Sequence, residues 1–173
     1  MKTTFITLIL IFTISLTFAQ EVKGALTLNG KSKSELKLET NSAVQLFKDF
    51  KTGKYKLKFS FDGDKLPTNV YKEDIVFFEF MTSVKKDGKL VKNVIRKQPI
   101  PYFPGDMGIP AEAFDFVGLL ASNPMEDEDP ADQMIGTIPE GSYEVQLSVK
   151  PVGFKGNVNP VSFYFKLRTR PGR

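Results

Sequence analysis

The sequence predicts an all-β fold: an antiparallel β-sandwich of seven to eight strands with one long irregular insertion. Three observations carry this. Stretches of strict two-residue alternation recur along the chain, and that period marks a strand with one buried face. Turn signals such as Asn29-Gly30 and Asp87-Gly88 separate the stretches at short intervals. Arg96 to Pro139 holds seven prolines, too many for central strands, and reads as the insertion.

The best alternation lies near the C-terminus. Tyr143, Val145, Leu147 and Val149 share one face, with Glu144, Gln146 and Ser148 opposite. Val161, Phe163, Phe165 and Leu167 form the matching face of a return strand, so the two read as a hairpin joined by a loop from Lys150 to Pro160. An earlier stretch, Gly53 to Phe61, has the same Gly-x-Tyr entry and alternation as Gly141 to Val149. Both begin at a glycine turn, which accounts for the likeness without an internal repeat.

Taken in order, Val22 to Leu28 is the first strand, and Leu36 and Leu38 sit in a short second one. Ser42 to Phe50 reads two ways. Ser42-Ala-Val-Gln45 fits a helix capping box with Gly53 as a stop, whereas Val44, Leu46 and Phe50 fit a strand. The all-β surroundings favour a strand. Tyr55 to Phe61 and Ile75 to Val84 are further strands. Asp87-Gly88 between Lys86 and Lys89 is a type I′ hairpin signal. Continuing that register sets Val84 against Val91, Phe80 against Ile95, Met81 against Val94 and Glu79 against Arg96. Within the insertion, Pro110 suits the first turn of a short helix with Ala113, Phe114, Val117 and Leu120 inward. The insertion is expected to pass from one sheet to the other.

Residues 1–19 read as a secretory signal: Lys2, an apolar run from Phe5 to Phe18, and a small residue at Ala19. Of 173 residues, 154 then remain as residues 20–173, one domain with a sizeable core. Losing Lys2 leaves 23 basic and 20 acidic side chains. That balance does not suggest nucleic-acid binding. No later apolar run is long enough to span a bilayer, so the chain is not expected to be membrane-inserted. Cysteine is absent, which excludes disulfides and a lipid-bearing cysteine. An exported protein, periplasmic or extracellular, from a bacterium is expected.

Gly141-x-Tyr143-x-Val145 resembles the tyrosine corner of the immunoglobulin-like β-sandwich superfamily, with Val145 where a cysteine would stand. The resemblance covers about the last thirty residues. It departs from the pattern in having no disulfide and no tryptophan. It implies a sandwich fold and carries no function.

Histidine and cysteine are both missing. That removes Ser-His-Asp and Cys-His catalysis and ordinary zinc sites, and no cofactor motif is present. Carboxylate-dependent glycan hydrolysis needs only two acids and stays open. The acidic run Glu126 to Asp132 offers Asp127, Asp129 and Asp132 as calcium ligands, although the spacing lacks a D-x-D-x-D-G loop and equally suits a solvated turn. Lys54, Lys56 and Lys58 form one basic ladder. Lys166 and Arg168, with Arg170, form another. Side by side they would make a patch for an anionic polysaccharide; separately they protect sheet surfaces. Tyr102, Phe103 and Asp106 lie among prolines, where aromatics are either shown to a partner or used to plug the sandwich. The reading is a non-catalytic binding module for an envelope or surface protein or an anionic polysaccharide. The alternatives are a glycan hydrolase or a strand-pairing subunit of a cell-envelope assembly.

Overall fold

The computed structural model describes residues 21–121 and 136–167. The expected signal segment, Asp127, Asp129 and Asp132 of the acidic run, and Arg168 and Arg170 lie outside the described residues. The described chain is mostly β, in two sheets, an arrangement compatible with a β-sandwich. In chain order its elements are β1 (Glu21–Leu28), β2 (Lys33–Glu35), α1 (Ala43–Lys51), β3 (Leu57–Gly63), β4 (Val76–Lys86), β5 (Lys89–Ile95), β6 (Ile100–Tyr102) and β7 (Gly105–Gly108). A 3₁₀ turn (Ala111–Ala113), α2 (Phe116–Leu120), β8 (Gly141–Pro151), β9 (Lys155–Asn159) and β10 (Val161–Leu167) follow. Among the described residues, no helix is long and apolar enough to cross a membrane.

One sheet runs β7-β3-β1-β9; the other runs β2-β10-β8-β4-β5, with β6 also on β4. The ten strands among the described residues exceed the seven to eight expected. The pairing is mixed, not purely antiparallel: β1 runs parallel to β9, and β2 parallel to β10. The first of these parallel pairs arises in the stretch expected to be a plain loop, 150–160. That stretch contains β9, which leaves its neighbours β8 and β10 for the opposite sheet. β8 and β10 still pair as expected, with Phe163 against Val145 and Phe165 against Tyr143. The insertion does cross between sheets, since β6 edges one and β7 the other.

Ser42–Phe50 is a helix, which corrects the preference for a strand. Ala43, Leu46 and Phe50 are buried at positions i, i+3 and i+7, one helical face. The Ser42 side chain accepts from the Gln45 N–H at 3.2 Å. The capping box is half made, because the Gln45 side chain turns instead to Asp49. Gly53 follows the helix at φ +82°, the left-handed stop that glycine favours.

The β4–β5 hairpin turns through Asp87 and Gly88, both at positive φ as a type I′ turn requires. Its register is not the expected one. Lys85 meets Leu90, but Val84 meets Lys92, Thr82 meets Val94 and Met81 meets Ile95. A bulge at Val91 adds one residue to β5 and shifts every later pair. Arg96 accordingly reaches the backbone beside Phe80, through its N–H on the Phe80 carbonyl, rather than facing Glu79. Every residue of β5 is exposed.

Aromatic rings fill the interior. Phe59 and Phe61 of one sheet meet Phe78 of the other. Phe80 packs on Phe114, and Phe116 on Phe50 and Phe163. The expected inward set Ala113, Phe114, Val117 and Leu120 is buried. It sits on two short pieces rather than one helix, because Asp115 between them has φ 53°. The buried Thr82 hydroxyl donates to the Phe114 carbonyl at 2.7 Å and ties this segment to β4.

The parallel contact of β1 with β9 depends on a close approach at Gly156. A Cβ there would collide with the Val22 carbonyl, whereas a Cβ at Gly108 would have no heavy atom within 4 Å. Gly156→Ala is expected to lower stability in urea unfolding by at least about 2 kcal/mol. Gly108→Ala should change it by under about 0.5 kcal/mol. Equal effects would show that β1 and β9 do not approach as described.

Candidate functional site

Among the described residues the two basic ladders do not lie side by side, so the condition for a shared patch is not met. Lys54, Lys56 and Lys58 lie on or beside β3, whereas Lys166 lies on β10 in the other sheet. Two of the lysines are engaged. Lys58 Nζ is 3.0 Å from Asp106 Oδ2, because β7 lies beside β3 with Asp106 opposite Ser60. Lys54 Nζ donates to Asp49 Oδ2 at 2.8 Å, and Gln45 holds the other oxygen at 2.7 Å. The bond to Asp49 raises the Lys54 pKa. Lys56, Lys58 and Lys51 border a 340 Å³ depression that also contains Glu112. Its charge is therefore mixed, unlike a basic channel.

Tyr102 and Phe103 part company, one packed inward and one exposed. Tyr102 ends β6 and packs on Phe59 and Phe80, each with ring centroids 5.7 Å away. Burial pushes its phenol pKa up. Phe103, one residue on, stays 47 % exposed. Among the described residues of the insertion, Ile109, Ala111, Ala113, Phe114, Phe116 and Val117 are core and less available than expected.

A surface that the sequence reading passed over lies in the loop between β3 and β4. Val70 and Tyr71 are 89 % and 80 % exposed. They are not on a slack loop. The Asn69 side-chain oxygen accepts from the Tyr71 and Glu73 N–H groups at 2.8 and 3.1 Å. Its amide donates to Glu73 at 3.0 Å, and the Asn69 and Lys72 N–H groups close further turns. One short side chain thus fixes the loop while two apolar residues face water. Tyr102 pairs with Val76, so Phe103 follows at the same end of β4 that the loop enters. Exposed Phe77 belongs to that end, and Val152 donates its N–H to the Phe77 carbonyl there. The legible signal was Val70-Tyr71 within an otherwise polar loop.

A small 170 Å³ hollow contains two acids, Glu39 and Asp49. Asp49 is already bound by Lys54 and Gln45, which suits an ion pair anchoring α1 more than a free carboxylate. Among the described residues, no group of three His, Cys, Asp or Glu could hold a metal.

Arg96 braces the insertion against the β4–β5 rim. Its Nη1 reaches the Glu112 and Ala113 carbonyls at 3.3 and 3.4 Å. Nearby, burial raises the Asp115 carboxyl pKa, and the Arg96 charge offsets part of that. A carboxyl with a raised folded pKa contributes stability below its unfolded pKa and loses it as pH climbs through the folded one. Asp115→Asn stays neutral and suits the left-handed φ. Its Tm should match wild type near pH 3 and exceed it at pH 7, in thermal unfolding at both. A variant less stable than wild type at pH 7 would mean that Arg96 more than offsets the burial.

No protein-family model matches the chain, and no curated protein does either.

Proposed function

We propose that the chain is an exported, non-catalytic interaction module on an immunoglobulin-like frame. It meets an envelope or surface protein with the end of the molecule that carries Val70, Tyr71 and Phe103. One observation carries the reading: Val70 and Tyr71 are held outward by the bonds centred on Asn69. Burying them needs no loop ordering, and a pre-set aromatic is a strong interface anchor. Exposed Phe77, Phe103 and Val152 widen the apolar area at that end.

The Tyr143 hydroxyl supports the immunoglobulin-like frame. It donates to the Pro139 carbonyl at 2.8 Å, the upstream bond of a tyrosine corner. The signal-like residues 1–19 support export. A protein partner is favoured over an anionic polysaccharide because Lys54 and Lys58 already hold acids and Lys166 stands in the other sheet. It is favoured over glycan hydrolysis because Asp49, one of the two acids in the small hollow, is tied to Lys54.

Val70→Ser/Tyr71→Ala alters only exposed atoms, so unfolding stability should stay within about 0.5 kcal/mol of wild type. Captured from bacterial envelope extract, wild type should retain a defined protein that this variant and Phe103→Ala release. The reading fails if the variants keep the same protein, or if wild type retains nothing above a mock column.

A further inference from the structure

We propose that β5 is a strand-addition site for an extended acidic segment of a partner protein. The site is separate from the aromatic end and does not depend on it. Among the described residues β5 pairs only with β4, so its other backbone edge is open. The remaining sheet edges are less inviting. β2 and β6 have three residues each, and β7 has four, two of them glycine. The one apolar side chain of β9, Val158, is buried. β5 alone combines seven residues of strand with large exposed apolar side chains: Leu90 at 59 %, Ile95 at 55 %, Val91 at 48 % and Val94 at 40 %. An edge of that kind is a template for another strand.

Charge selects the occupant. Residues 85–97 carry six cations, Lys85, Lys86, Lys89, Lys92, Arg96 and Lys97, against the single acid Asp87. Asp87 is turned away, accepting the Ser142 N–H at 2.8 Å. Lys85 holds Glu144, and Arg96 is spent on carbonyls. Lys89, Lys92 and Lys97 make no ion pair among the described residues. A second copy laid edge to edge would bring Lys89 and Lys92 against their own kind, and like charges across a ladder repel. The same lysines and the bulge at Val91 thus guard the edge against self-pairing and leave it open to an acidic strand. A lipid surface fits less well, because the apolar residues are not one-sided. Leu90 and Ile95 share a face with their partners Lys85 and Met81, whereas Val94 shares the opposite face with Thr82. An incoming strand that alternates apolar with acidic residues would set apolar groups beside Leu90 and Ile95 and carboxylates beside Lys89 and Lys92.

The test uses the full mature chain, isotope-labelled, and a synthetic nine-residue peptide alternating valine with glutamate. Amide shifts should appear along 89–95. Lys89→Glu/Lys92→Glu should weaken binding by about tenfold or more, since two favourable charge contacts become repulsive. Lys166→Glu, remote from β5, should bind as wild type. The same peptide N-methylated at alternate residues keeps its charges but loses backbone donors, and should not bind. Several results would overturn the proposal. One is no binding at millimolar peptide. Another is equal binding of the N-methylated form, which would indicate charge attraction alone. The others are uptake by phosphatidylglycerol vesicles without peptide binding, and dimerisation through β5 in sedimentation. Tyr71→Ala should leave peptide binding unchanged, so failure here and failure at the aromatic end read out separately.

Discussion

Phe78 stands edge-on to Phe59 at 4.9 Å and to Phe61 at 4.8 Å, and through these contacts the two sheets face one another. Each such pair adds about 0.5–1.5 kcal/mol beyond the area it buries. The contact sets what the neighbouring parts can do. One step along β4, Phe80 has Phe114 of the insertion over it, and Thr82 fastens that segment by a hydrogen bond. Phe116 continues the seam to Phe50 of α1 and Phe163 of β10. The described segment Ile109 to Ala121 of the insertion therefore serves as part of the interior, with Phe103 left outside. The larger sheet is five strands across against four in the other, because β5 and β6 share one edge of β4. β5 ends that sheet, and all seven of its residues are exposed.

Much of this was legible from alternation. β1, β8 and β10 bury every second side chain, mostly apolar, and each appears where the rhythm places it; β4 keeps the same buried rhythm despite Thr82 on its inner face and Phe77 and Met81 on its outer one. The Asp87-Gly88 turn was legible because a type I′ turn needs two positive-φ residues, which that dipeptide supplies. Other features left no local trace. The bulge at Val91 is seen only in the pairing of β5 with β4, and no residue type marks it. β9 is Lys-Gly-Asn-Val-Asn, a composition typical of loops, and becomes a strand only because Gly156 lets it lie against Val22. α1 departs from expectation for a different reason. Its own pattern was helical, with Ala43, Leu46 and Phe50 on one face, but the neighbouring strands outweighed it.

The site residues divide along similar lines. Lys54, Lys56 and Lys58 were visible as a ladder, but their partners were not. Asp106 is distant in sequence, and Asp49 becomes available only once Ser42–Phe50 is helical. Tyr102 and Phe103 are adjacent in sequence, but at the end of β6 the first packs inward and the second faces water. The exposed Val70 and Tyr71 needed the Asn69 bonds to become meaningful, because two apolar residues in a slack loop would say little.

All of this places one rim of the larger sheet in open water. Amide hydrogen exchange on the free protein, resolved by residue, tests that most directly. Outward-facing amides of β5 should exchange close to unfolded-chain rates, while those of β8, flanked by β4 and β10, are slower by orders of magnitude. Uniform protection of Lys89 to Ile95 at the level of β8 would show that the rim is already covered, and would contradict the account.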